Sequence, residues 1–261
     1  MQTFESNFKR KEVKYRLTAD QYVRIRAALT GYMVPDKYGA SAIISTYLDT
    51  PERYLIIQSQ EKPLYKEKLR IRRYGDALDA TTPTFVEIKK KYKGIVYKRR
   101  ICMSAAAAQA FLRGMPYERA VRLYPLADPK AQAETTSPVS LQIAREIFAF
   151  CRRYGRLDPS MDIRVIRTAW KLTAEGAAET PFDVRVTFDE NMRALDRFDD
   201  RALWMDLTAP GEVLMEIKCE GAYPRWLVDI LNAVDARPSS FSKYGKAFEL
   251  LHKGGTQCSI A

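Results

Sequence analysis

Glu12, Glu87 and Glu216 each stand two residues ahead of a lysine: Lys14, Lys89 and Lys218 respectively. All six fall in segments that alternate as β-strands do, so each pair leaves the same face of its strand. A carboxylate beside a cation has two usual roles. It pairs with the cation, or it holds a divalent metal that bridges to a phosphate. For any single motif of this kind cross-strand pairing suffices, but three in strands of matching parity point further. Oxygen-only ligands favour Mg or Mn over zinc. Phosphoryl chemistry fits such a set, because it needs charge neutralisation, a metal and alignment, and no histidine. Arginine supplies bidentate clamps and lysine point contacts. The chain has one histidine, His252, which excludes a histidine-based triad or a multi-histidine metal site and is expected on the surface beyond the last helix.

The strands that carry these residues share a pattern. Arg10, Glu12 and Lys14 alternate against Val13, Tyr15 and Leu17, and Lys66, Lys68, Arg70 and Arg72 against Leu69 and Ile71. Phe85, Glu87 and Lys89 alternate against Val86 and Ile88, and Lys98 and Arg100 against Tyr97 and Ile101. Asp183, Arg185, Thr187 and Asp189 face away from Val184, Val186 and Phe188, and Glu216 and Lys218 from Met215 and Ile217. Two readings follow. The polar faces are solvated, with helices on the apolar side, or they point into a wet channel. The density of like charge favours the channel, since so many close cations repel one another unless an anion compensates them. Asp189 reads equally as a second metal ligand or as a partner of Arg185, and Lys90, Lys91 and Lys93 as solvated residues around a hairpin turn.

Stepping along the chain, strands are predicted over 9–17, 42–48, 65–74, 84–91, 95–102, 162–171, 182–189 and 213–220, with a turn at Lys93-Gly94. Helices are predicted from Thr18 or Asp20 to Gly31, over 52–60, 104–112 and 141–153, and from Pro224-Arg225. The Pro-, Ala-, Thr- and Ser-rich stretch 125–140 reads as a loop. Eight strands with interspersed helices and no wide linker describe one α+β domain over residues 1–261, and mostly antiparallel hairpins suit a closed barrel. Tyr15, Tyr65, Tyr74, Tyr97, Trp170 and Trp226 are expected to be packing residues.

Composition agrees with a folded chain: 46% hydrophobic and 29% charged residues in 261. No apolar run is long enough to cross a bilayer, and the first residues show no secretory core, so a cytoplasmic protein is expected. Four cysteines, Cys102, Cys151, Cys219 and Cys258, form no CxxC and read as reduced thiols. Lys and Arg number 43 against 32 Asp and Glu, a net charge of +11 that suggests an anionic partner or an ordinary basic surface, between which the placement of the charges decides. The basic residues lie on strand faces and show no duplex-reading signature, so nucleic acid is not expected as the main ligand.

At these residues a family resemblance enters. FKRKEVKY, YLDTP, YKEKLRIRRYG, FVEIKKKYKGIVYKRR, VIRTAW, VRVTFDENM, LMEIKCEGAYPRWL and FSKYG, from about residue 5 to about residue 250, resemble the VTC domain. That is the catalytic domain of the vacuolar transporter chaperone complex of yeast and of its bacterial relatives, in the triphosphate tunnel metalloenzyme (CYTH) superfamily. The resemblance implies an eight-stranded antiparallel tunnel with a charged interior, packed outside by helices. It implies a polyphosphate polymerase that passes the γ-phosphate of ATP to a growing chain with Mn or Mg. The positions matching the family's phosphate-binding cations are Lys14, Arg70, Arg72, Lys89, Lys98, Arg167, Arg185 and Lys243, and Glu216 matches its metal-binding glutamate. Arg10, Lys68, Arg100 and Lys218 line up beside them as supporting cations, and Glu12, Glu87 and Asp189 as further candidate metal ligands.

The match has departures. Members commonly carry Y-x-R where this chain has Val165-Ile166-Arg167, whereas Tyr47, Asp49 and Thr50 retain Y-x-D-T. Hydrolytic tunnel relatives usually show E-x-E-x-K in the first strand. Here Arg10-x-Glu12-x-Lys14 replaces it, which tilts the reading toward polymerisation. The alternatives are a triphosphatase acting on tripolyphosphate, nucleotides or RNA 5′ ends, and a polyphosphate-binding module without turnover. ATP and polyphosphate are the expected ligands. A membrane-protein partner at the inner membrane face stays open, as do monomer and dimer.

Overall fold

The structure, a computed structural model, describes residues 11–93, 95–180 and 182–254. Arg10, Gly94 of the hairpin turn and Cys258 lie outside the described residues. In chain order the elements are β1 (Lys11–Leu17), α1 (Ala19–Leu29), β2 (Met33–Pro35), β3 (Ser41–Asp49), α2 (Tyr54–Gln60), β4 (Tyr65–Tyr74), β5 (Pro83–Tyr92) and β6 (Ile95–Ser104). Then come α3 (Ala105–Leu112), α4 (Tyr117–Leu123), α5 (Pro129–Glu134), α6 (Pro138–Tyr154), β7 (Asp158–Leu172) and α7 (Ala174–Ala178). The chain continues through β8 (Val184–Asp196), β9 (Met205–Asp206), β10 (Val213–Cys219), α8 (Arg225–Ala233), β11 (Pro238–Ser239) and α9 (Lys243–Gly254).

Two compact units divide these elements. The first holds the described residues up to Ser41, Val165–Met192 and Thr208–Phe241; the second holds Ala42–Arg164, Arg193–Leu207 and those from Ser242 onward. β7 and β8 contribute a segment to each. In the first unit the strand order is β11-β1-β10-β8-β7, with β2 on β7. In the second it is β8-β7-β3-β4-β5-β6, with β9 on β8. The pairings β1–β10, β10–β8, β3–β4, β4–β5 and β5–β6 are antiparallel.

This α+β architecture corrects the expected eight-stranded closed barrel in two respects. Eleven strand segments occur among the described residues, and neither unit's sheet closes on itself there. The additional segments β2, β9 and β11 are two or three residues long, too short to carry an alternation.

Each unit buries the apolar side of its strands under helices. In the first, Tyr15, Leu17, Val186, Phe188, Met215 and Ile217 join Ile25 and Leu29 of α1 and Trp226, Leu227 and Leu231 of α8. Thr18 starts α1 with a capping box: its hydroxyl accepts from the Gln21 amide, and the Gln21 side chain accepts from the Thr18 amide. In the second, Leu69, Val86, Ile88, Ile101 and Met103 pack on Ala107 and Phe111 of α3, Ala120 and Val121 of α4, and Ile143, Ile147 and Phe150 of α6. Burying one such side chain fully contributes about 1.5–3 kcal/mol, so these faces commit the strands' orientation. Among the described residues no helix is long and apolar enough to cross a membrane.

Stretch 125–140 is loop only in part, over 125–128 and 135–137. Asp128 caps α5 with Pro129 in its first turn, and Ser137 caps α6 with Pro138 in its first turn. The residues that looked like loop composition are two helix starts. α4 was also unpredicted; it is held by buried Tyr117, Ala120 and Val121. His252 lies within α9 rather than beyond the last helix, exposed, with its Nδ1 2.8 Å from the Phe248 carbonyl oxygen. Tyr15, Trp170 and Trp226 are buried as expected, but Tyr65, Tyr74 and Tyr97 are exposed.

Candidate functional site

In the first unit, register places Glu12 opposite Lys218 and Lys218 opposite Arg185, with Lys14 opposite Glu216 and Glu216 opposite Thr187. Each rung mixes charges of both signs. Lys14 Nζ lies 3.4 Å from Glu12 and 3.5 Å from Glu216 and donates to the Phe241 carbonyl at 3.2 Å. Burial works against its charge, but the two glutamates outweigh that and raise its pKa. Lys218 meets Glu12 at 3.6 Å. Arg167 donates two hydrogen bonds to Asp189, at 2.5 and 2.6 Å, and its Nη2 also lies 3.5 Å from Glu216. Asp189 is fully buried, and its guanidinium partner is Arg167; the expected partner, Arg185, bonds Asp36 at 3.3 Å instead. Arg167 won because its fork meets both carboxylate oxygens at once.

In the second unit, one fully buried carboxylate gathers four cations. Glu87 lies 2.7 Å from Arg70, 2.9 Å from Lys98, 3.8 Å from Arg72 and 4.0 Å from Arg100. Those cations hold its pKa down to about 2 against the effect of burial, so Glu87 is a carboxylate at any working pH and no general acid. Register sets Lys68 opposite Lys89 and Lys89 opposite Lys98 on the adjacent rung of the same face. Lys243 opens α9, immediately before Tyr244.

The sequence reading missed the tyrosine in this cluster. Tyr47 is buried, accepts a 3.1 Å hydrogen bond from Arg70 and stacks on Tyr244 with ring centroids 4.3 Å apart. Burial opposes ionisation of its phenol, but Arg70, Lys68 and Arg72 bring its pKa down to about 7. Its neighbour Asp49 is a structural anchor. That carboxylate accepts from the amides of Thr50, Leu55 and Ile56 at the start of α2, and from the Tyr244 hydroxyl at 2.8 Å. Alternation could not single out Tyr47, because most of β3 is buried on both faces.

Lys68 and Lys98 are both pushed down to about 8, chiefly by burial. The folded protein therefore holds fewer protons than the unfolded chain between about pH 8 and the ordinary lysine range. Tyr47 acts in the same direction from about pH 7 upward, so these three groups make ligand-free stability rise with pH. A bound polyanion raises all three pKa values. Tripolyphosphate binding at pH 8 is accordingly expected to take up protons and to weaken as pH rises further. Calorimetry in two buffers of different ionisation enthalpy checks this; zero or negative uptake would refute it.

The resemblance to tunnel metalloenzymes implies a divalent cation. Asp189 and Glu216 both approach one Arg167 nitrogen, and the Thr187 hydroxyl opposite Glu216 is buried with no hydrogen-bond partner among the described residues. These are hard oxygen donors of the type Mg and Mn take. They fit an ion whose other ligands are phosphate oxygens and water, since no group of three or more acid, histidine or cysteine side chains suited to a metal occurs among the described residues. Lys90 is half-buried and lies 3.9 Å from Glu146, a departure from the solvated position expected; Lys91 and Lys93 are exposed.

Fold and clusters define an α+β protein whose antiparallel strands set half-buried and exposed cations around buried carboxylates, on the side away from their helices. The chain belongs to the VTC-domain family, whose model matches residues 9–252. It is also similar to a solved structure of a provisional adenylate cyclase from Vibrio parahaemolyticus, at 10% identity and a TM-score of 0.46, over 93% of this chain and 99% of that one. A comparison with curated proteins finds no significant match.

Proposed function

We propose that this protein is a metal-dependent polyphosphate polymerase that transfers the γ-phosphate of ATP to a growing polyphosphate chain. Family membership supports the reading, and one observation carries it: four cations converge on the single buried carboxylate of Glu87, beside a rung of three lysines. That excess of positive charge around a buried carboxylate suits a ligand carrying several phosphates.

In this reading Arg70, Arg72, Lys89 and Lys98 hold phosphates, with Lys68 and Arg100 in support. Lys14, Arg167, Arg185 and Lys243 hold phosphates too, and Lys218 supports them. Glu216, with Asp189 and Glu12, would hold Mn or Mg, whose chemistry when bound is to neutralise non-bridging phosphate oxygens. A terminal oxygen of the chain forms a bond to the γ-phosphorus of ATP while the bridging bond to ADP breaks. ADP leaves and the chain is one phosphate longer. Aligned cations supply what this transfer needs, since charge spreads over the equatorial oxygens and no histidine is called for.

The test is incubation with ATP and Mn, with products run on a urea gel stained for polyphosphate and free phosphate followed in the same tubes. A ladder is expected, reduced by about 100-fold or more in Lys89→Ala and Glu216→Ala. Free phosphate without polymer would replace the polymerase with a triphosphatase. Tight polyphosphate binding with neither product would leave a binding module.

A further inference from the structure

The charged face of β4, β5 and β6 changes character along its length. One rung carries Arg70, Glu87 and Arg100; the next carries Lys68, Lys89 and Lys98; the next carries Lys66 opposite Lys91, with Val96 beyond. Successive rungs are roughly 6.6–6.8 Å apart along a strand. The single carboxylate of the first rung is absent from the two that follow. Facing like charges destabilise a sheet, and Lys66 shows the strain: burial, then Lys91 and Lys62, lowers its pKa. Its amine donates to the Ser59 carbonyl at 3.1 Å, and among the described residues neither Lys66 nor Lys91 has an ion-pair partner.

The opposite face of the same strands is built differently. There Lys90 and Arg99 meet Glu146 at 3.9 and 3.3 Å, and Glu67 meets Arg153 of α6 at 2.8 Å. Cations are compensated on the helix-covered side and left in excess on the other. The tyrosines of these three strands fall mostly on the helix-covered parity. Tyr65, Tyr92 and Tyr97 occupy the parity opposite to the lysine rungs, and the ring beside Lys68, Tyr244, is already stacked on Tyr47.

We propose that Lys66 and Lys91 form an additional phosphate subsite, continuing the rung of Lys68, Lys89 and Lys98, that holds a bare inorganic polyphosphate chain beyond the reach of a triphosphate. This deepens the polymerase reading and rests on it: the arginine–glutamate rung and the adjoining rung of Lys68, Lys89 and Lys98 serve the triphosphate-sized ligand, and Lys66 and Lys91 extend the site for the polymer.

The test measures binding without turnover, on the full chain, with the probes tripolyphosphate, long-chain polyphosphate and a single-stranded oligonucleotide. In the Lys66→Ala/Lys91→Ala double variant, long-chain affinity is expected to fall roughly tenfold and its salt slope by roughly two contacts. Tripolyphosphate affinity should stay within about twofold, because the subsite lies outside its reach. The thermal midpoint should stay at or above that of the parent, as facing like charges have been removed. Unchanged long-chain affinity would overturn the subsite, and so would an equal loss for tripolyphosphate. An oligonucleotide that binds as tightly as polyphosphate, with the same loss in the variant, would overturn the choice of a bare phosphate chain. Failure of the ATP assay to yield polymer, with this length discrimination intact, would strike the polymerase reading and leave the subsite standing.

Discussion

Glu87→Ala is expected to lower folding stability by about 3–5 kcal/mol, the cost of breaking a buried ion pair from one side. Glu87 is fully buried, and Arg70, Arg72, Lys98 and Arg100 all lie within 4.0 Å of it. Alanine leaves those cations facing one another with no carboxylate between them. In the parent, the depressed pKa of Glu87 means that its contribution is full above the ordinary glutamate value and is lost as pH falls toward about 2. The variant lacks that acid-dependent component. It should also respond more strongly than the parent to tripolyphosphate, because an anion now supplies the missing negative charge. Urea denaturation with and without tripolyphosphate reads both effects. A loss below about 1 kcal/mol would mean that the cluster relaxes into solvent, as surface pairs do. Equal stabilisation of parent and variant by the anion would separate Glu87 from any phosphate-binding role.

Much of this cluster could be read from alternation, because β4, β5 and β6 each have one side packed on helices and one side charged. Period-two patterning is legible when the two faces differ. β3 shows the limit. Both of its faces are largely buried, so Tyr47 carried no signal beyond the Y-x-D-T pattern it belongs to. The structure shows part of what that pattern does: Asp49 anchors α2 and Tyr244, and Tyr47 stacks on Tyr244. Arg167 and Lys243 were beyond parity as well and entered through the family resemblance alone. Asp189 was visible as a charged residue on the correct face, but its partner depended on the pairing of β7 with β8, which no local pattern encodes. Helix α5 and the first turn of α6, whose remainder the predicted helix over 141–153 covers, were obscured for the opposite reason: their Ser, Asp and Pro caps carry the same residue types as a loop.

The two units solve the burial of charge in different ways. In the first, glutamates and cations alternate across the rungs, so the cluster is close to neutral and rigidly cross-bonded. In the second, one carboxylate is shared among four cations and the neighbouring rungs have none. A near-neutral set of oxygen donors suits a metal bridging to phosphate, whereas a cationic set suits the phosphates themselves. This difference is why the metal role is proposed for Glu216 and Asp189 and not for Glu87, which four cations surround within 4.0 Å.

The same contrast predicts the second large effect, at Arg167. Its guanidinium holds the fully buried Asp189 through two hydrogen bonds and reaches Glu216. Arg167→Ala leaves those two carboxylates next to each other, with a cost of about 3–5 kcal/mol at neutral pH. Uncompensated buried carboxylates titrate upward, so the folded variant binds a proton that the unfolded chain does not, and its stability deficit should shrink as pH is lowered toward about 5. Mn should also stabilise the variant more than the parent, because the oxygens released by Arg167 become ligands. Arg167→Lys, which keeps the charge but loses the fork, should fall between the two. Arg16→Ala is the control: Arg16 pairs with Glu212 but is half-exposed, and its loss should cost less than about 1 kcal/mol with no pH dependence. Denaturation from pH 5 to 8, with and without Mn, separates the cases. A deficit in Arg167→Ala that is independent of both pH and metal would show that Arg167 acts by packing alone, and the proposed metal-holding role of Asp189 and Glu216 would fall with it.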